Sequence, residues 1–132
     1  MFRMAWMAVF VAGLGILAGC SDKPRKMTLS EERKAELEEL GHMLKTLAEE
    51  GRKPPTKLAE LEPVEPMIPV ASPAIRNGDI VYIWGVGYAS GGANVVAYDK
   101  SVATEGGYVL LQDGTVKEMS ANEFQSAPKA QK

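Results

Sequence analysis

A single cysteine and a single histidine among 132 residues leave little for thiol or metal chemistry to use. A zinc site of the usual kind needs several cysteine or histidine ligands, and Cys20 and His42 are too few. A lone thiol also excludes an intramolecular disulfide. No nucleophile stands in a pattern with a base and an orienting acid, so the sequence reads as non-enzymatic and no cofactor is expected. Charge of one sign is lacking too: 15 bases and 17 acids give a net charge of −2 and are interspersed along the chain. Nucleic acid needs a basic stripe, so none is expected as a partner. The length is that of one folding unit.

Long apolar runs are absent except at the start, in "MFRMAWMAVFVAGLGILAGC". One positive charge, Arg3, precedes an uncharged stretch from Met4 to Leu17, and small residues follow. That is the layout of a secretory signal peptide. Residues 4–17 as a helix would rise only about 21 Å, short of a hydrocarbon core of about 30 Å. Counting every uncharged residue to Ser21 reaches the lower limit for a span, so geometry leaves a transmembrane helix open. Cys20 separates the two. Leu17-Ala18-Gly19-Cys20 resembles the lipobox of bacterial lipoproteins: a large aliphatic residue, small residues, then cysteine. Its thiolate is accessible near neutral pH and is the side chain best suited to take a diacylglyceryl group. Small Ala18 and Gly19 let a membrane-embedded peptidase grip an extended backbone at Leu17–Gly19.

The resemblance implies removal of residues 1–19, a diacylglyceryl and N-acyl lipid on Cys20, and a tether over residues 20–27. Several acyl chains hold a protein stably on a bilayer where one does not. A membrane partner, a cell-membrane or outer-membrane location and a periplasm-facing domain follow from the same resemblance. Ser21 after the cysteine matches the pattern that accompanies transfer to the outer membrane.

The remainder reads as a small α+β domain over residues 28–125, with residues 126–132, "SAPKAQK", expected to be disordered. Thr28 and Ser30 are good N-caps, Glu31 follows Thr28 by three residues, and Leu37, Leu40, Leu44 and Leu47 form one apolar stripe. Glu36, Glu38, Lys45 and Glu49 are predicted to face away from it, with His42 beside it. Gly51 is a plausible helix end. The stripe suits either a sheet of the same chain or a partner helix.

Between Arg52 and Gly78 lie Pro54, Pro55, Pro63, Pro66, Pro69 and Pro73, which predict an extended connection wrapped over a core, with one helical turn at "PTKLAEL". "DIVYIWG", "ANVVAYDK", "GYVLLQ" and "TVKEMS" are strand-like. Asp113-Gly114 predicts a two-residue type I′ hairpin turn between the last two. Ser120 and Glu123 predict a capping box on a final helical turn, with Phe124 packing down.

This order, a leucine-striped helix, then "GDIVYIWG" and "NVVAYDK…GGYVLLQDGTVKEMSANEF", resembles the globular part of type II secretion pseudopilins and related prepilin-like proteins. The resemblance runs from about Glu32 to Phe124 and implies a helix packed on a small antiparallel sheet. Thr115 stands where histidine is frequent in that hairpin motif. A prepilin cleavage site and the long apolar helix that builds the filament are missing, so domain shape carries over and filament assembly does not. Some pseudopilins hold calcium near this region, which makes Asp99, Glu105 and Asp113 candidate metal ligands; solvated turn carboxylates are the alternative.

"WGVGYASGGAN" carries neither G-x-G-x-x-G nor a lysine-bearing P-loop, so a nucleotide or other small-molecule ligand is not expected. Tyr82 and Trp84 should share a strand face, either as core or as an aromatic patch for a partner. Taken together, these readings describe a lipid-anchored envelope protein whose domain contacts other envelope proteins, near secretion or pilus machinery. The alternative is a periplasmic module for calcium, a small ligand or an envelope polymer.

Overall fold

The computed structural model describes residues 27–132, in which helices accompany one four-stranded antiparallel sheet, an α+β arrangement. Helix α1 spans Leu29–Glu49. The Thr28 hydroxyl accepts the Glu31 N–H and the Glu31 carboxylate accepts the Thr28 N–H at 2.8 Å, so two end groups without helical partners satisfy each other. Gly51 has φ +67 at the other end, where a side chain would be strained. Leu37, Leu40, Leu44 and Leu47 are buried along one face, as the stripe predicts, and Met43 is buried with them. Glu36 departs from the expected pattern. It is 8% exposed and pairs with Arg33, whose guanidinium also faces Asp79 in the loop before the sheet.

The proline-rich stretch is helical rather than extended. Leu58–Met67 is a 3-10 helix with Pro63 and Pro66 inside it, followed by α2, Ala71–Arg76. Proline fixes φ near the helical value, so Pro63 and Pro66 are compatible with this 3-10 backbone. Leu61, Val64, Ile68, Ala71, Ala74 and Ile75 turn inward. The Glu39 carboxylate of α1 accepts the Val70 and Ala71 N–H groups at 3.0 and 2.6 Å, so α1 supplies the acceptor at the start of α2.

Strands β1 (Ile80–Tyr82), β2 (Val95–Asp99), β3 (Gly107–Leu111) and β4 (Val116–Met119) lie side by side in chain order. Helix α3 (Val102–Glu105) joins β2 to β3, and α4 (Ala121–Ser126) follows β4 under a second capping box, Ser120 with Glu123. The β3–β4 connection differs from the expected type I′ turn. Gly114 N–H bonds Leu111 O and Leu111 N–H bonds Thr115 O, so the loop is three residues, Gln112–Gly114. Only the glycine takes positive φ, +87, and Asp113 instead accepts the Thr115 N–H at 2.9 Å.

Both faces of the sheet are covered. One buries Val96, Ala97 and Leu110 in a common core with α1, the 3-10 helix and α2. The other gathers Val95, Val109 and Met119 with Val102 of α3 and Phe124 of α4. A bulge in β2 between Val95 and Ala97 makes this possible: Val96 and Ala97 both belong to the larger core, while Val95 and Tyr98 belong to the smaller. Gly41 brings α1 close to the hairpin. A Cβ there would lie 2.8 Å from Leu110 Cδ1 and 3.3 Å from Gly114 O.

Residues 126–132, expected to be disordered, are instead placed against β2. Ser126 completes α4, Lys129 forms a parallel bridge with Val95, and Ala130 is 4% exposed within the larger core. The reason is local: Val95 has a main-chain donor and acceptor facing away from β3, and this segment satisfies both.

Candidate functional site

Cys20 and the recognition residues Leu17, Ala18 and Gly19 lie outside the described residues, as do the rest of 1–19 and all but Met27 of the tether 20–27. Helix α1 begins at the capping box on Thr28, with Met27 and Leu29 exposed beside it, Leu29 at 65%. No helix among the described residues is long and apolar enough to cross a membrane.

The three candidate metal ligands do not converge. Asp99 closes the turn after β2, accepting the Ser101 N–H at 3.0 Å and hydroxyl at 2.9 Å. Glu105 ends α3 and is exposed. Asp113 sits beyond the far end of β3, five residues at about 3.3 Å each from the Glu105 side. Its carboxyl is held below the usual range by the Thr115 N–H. Among the described residues no group of three or more His, Cys, Asp or Glu side chains is placed to hold a metal ion. His42 is exposed on α1.

An open cleft of about 470 Å³ lies at the start of α1, where Ser30 meets the α3–β3 turn and the β4–α4 junction. Glu105, Glu118 and Glu123 line it. Its floor is made by close backbone approach: Gly106 has φ +76, and a Cβ there would sit 2.9 Å from Met119 O. The Glu123 carboxylate already caps the Ser120 N–H, and Glu105 and Glu118 are solvated.

Charges missed by the sequence reading meet beside this end of the domain. Arg33 donates to Glu36 at 2.6 Å and lies 3.4 Å from Asp79, which also pairs with Lys100 at 2.7 Å. Burial raises the Glu36 carboxyl above its ordinary value, more than Arg33 lowers it. Burial would lower the Arg33 guanidinium, but Glu36, Asp79 and Asp99 together hold it above its ordinary value. Lys100 and Arg33 hold Asp79 low. The arrangement ties α1 to the entry of β1 and the exit of β2. Its only sequence signal was the three-residue step from Arg33 to Glu36.

The aromatic pair does not share a strand face: β1 ends at Tyr82, which is core, and Trp84 lies half-buried in the turn that follows, packed against that core. Tyr82 is buried, its hydroxyl donates to Val86 O, and Trp84 stands edge-on with ring centroids 5.0 Å apart. Burial pushes the Tyr82 phenol above its usual value. Gly87 in the glycine loop lies over Pro54, the Ala89 N–H donates to Gln112 O and the Asp113 N–H donates to Gly92 O, so the loop is packed as structure.

No family model, curated protein or solved structure matches the chain.

Proposed function

We propose that the protein is a lipid-anchored bacterial envelope protein, non-enzymatic, whose small α+β domain makes contacts with other envelope proteins. One observation carries the reading: Leu17-Ala18-Gly19-Cys20 places the only cysteine directly behind the only long apolar run. A thioether-linked diacylglyceryl group and an N-acyl chain on Cys20 would hold the domain at the membrane. The capping box at Thr28, eight positions after the cysteine, supports a short tether followed at once by folded structure.

The order of one long helix, a meander of antiparallel strands and a capped final turn is in keeping with the globular part of a type II secretion pseudopilin. On this proposal the lipid replaces the filament-forming helix. The domain then presents that shape at the periplasmic face of the cell membrane or outer membrane, near secretion or pilus machinery. The anchor is tested by mass spectrometry and palmitate labelling of the membrane-extracted protein, with Cys20→Ser as control. An unmodified thiol behind an intact Met1 overturns the proposal. Crosslinking and co-purification from the bacterial envelope test the second half, and a monomeric eluate counts against protein contacts.

A further inference from the structure

Strand β1 covers the outer edge of β2 only in part. Tyr82 pairs with Ala97 and the Ile83 N–H reaches Val96 O, but the chain then turns away at Gly85, φ +86. Val95, one residue further along, finds its partners after α4. Its N–H donates to Pro128 O at 2.9 Å, and its carbonyl accepts the Ala130 N–H at 2.9 Å. This bridge is parallel, whereas every pairing inside the sheet is antiparallel. Ala130 fills a place in the larger core, the Lys132 alkyl chain crosses Gly85, and the Lys129 ammonium donates to Phe124 O and Ala127 O, 4.1 Å from the Phe124 ring centroid.

We infer that Val95 heads a strand-acceptor slot, filled in cis by Pro128–Ala130, that takes an extended peptide from a partner protein when this strap opens. The strap is held by two main-chain bonds, one buried methyl group and a partly solvated lysine. Ordering its three residues, Pro128–Ala130, opposes those contacts with a free energy of similar size, so the strap opens while the sheet stays intact. Main-chain bonds supply affinity for an added strand and side-chain pockets supply selection. The cis segment is the template for the partner: a small apolar residue at the Ala130 place, and a base before it over Phe124. The slot gives the protein contacts proposed above a location, but its geometry does not depend on acylation of Cys20.

The test is amide hydrogen exchange on the full-length protein in detergent, resolved by NMR. The Val95 and Ala130 amides are expected to exchange at least about 100-fold faster than those of β3, since local opening needs far less free energy than global unfolding. Lys129→Ala should speed both further and leave β3 unchanged. A chain ended at Ala127 should fold, leave Val95 unprotected, and regain that protection with millimolar peptide of residues 126–132 but not with its Ala130→Asp form. Exchange of Val95 and Ala130 at the β3 rate overturns the inference. So does a shortened chain that cannot fold, or one that ignores the peptide. Intact mass at Cys20 is read on the same sample, so loss of the anchor and loss of the slot are seen separately.

Discussion

Replacing Arg33 by methionine should destabilise the domain in a way that depends on pH. Methionine keeps much of the packed stem and removes the guanidinium that lies 2.6 Å from Glu36 and 3.4 Å from Asp79. Asp79 retains Lys100, but Glu36 is left 8% exposed with no other cation paired to it among the described residues. Orphaning one partner of a buried pair costs about 3–5 kcal/mol. The lower figure applies because Glu36 has an escape: it can protonate, and burial already favours the proton.

The sign follows from linkage. A carboxyl whose folded pKa exceeds its unfolded one binds more protons when folded. Stability therefore falls as pH rises from the unfolded value to the folded one, by about 1.4 kcal/mol per unit, and is flat above. The loss on Arg33→Met should be about 3 kcal/mol at pH 8 and smaller near pH 5, where protonation begins to relieve the orphaned carboxylate. Urea unfolding of residues 21–132, followed by Trp84 fluorescence, measures both. A second change, Glu36→Leu, should recover most of the loss at pH 8, since apolar replacement of a buried pair is often neutral. An equal cost at the two pH values, with no recovery in the double variant, would mean that arginine's stem rather than its charge matters, and would refute the argument.

Gly41→Ala gains about 1 kcal/mol of helix propensity but forces a methyl to 2.8 Å from Leu110 Cδ1, an overpacking that costs about 1–3 kcal/mol. Thermal unfolding should show a net loss, with Leu110→Val relieving the methyl clash. Ser120→Ala should cost about 1 kcal/mol, read in the same assay, because the Glu123 N–H loses its acceptor. Glu65, Asp79 and Asp113 are all held below their ordinary values, by Arg76, Lys100 and the Thr115 N–H respectively. Their contribution is present above the unfolded carboxylate pKa and is lost as pH falls through the folded values. The urea midpoint should therefore drop on acidification below about pH 4. Millimolar calcium should leave the melting temperature unchanged, because Asp99, Glu105 and Asp113 stand at separate turns.

What could be read ahead was local. Thr28 with Glu31, and Ser120 with Glu123, are contacts between residues three apart, and both capping boxes formed where the spacing placed them. The leucine stripe and four strands carry their own periodicity. Missed features depend on distant partners. Six prolines read as extended chain, yet Glu39 of α1 receives the start of α2, and apolar residues between the prolines found the core. Glu36 looked solvent-facing, but it is buried beside Arg33, which also reaches Asp79 far along the chain. "SAPKAQK" has neither periodicity nor bulk, and only the open edge at Val95 gives it a place. The candidate metal ligands lie apart for the converse reason, since nearness in sequence to strand ends says nothing about which end.

The doubled step at Val96 has a consequence for how the chain tolerates change. It sends two successive side chains to one layer and their neighbours to the other, so sliding β2 by a single position would misplace Val95, Val96 and Tyr98 together. Phase is thereby keyed inside the strand, away from the glycine-bearing connection that precedes it. Lengthening that connection by a residue or two near Ser90 and Gly91 should leave the alignment of β2 untouched, whereas deleting Val96 would scramble both layers at once.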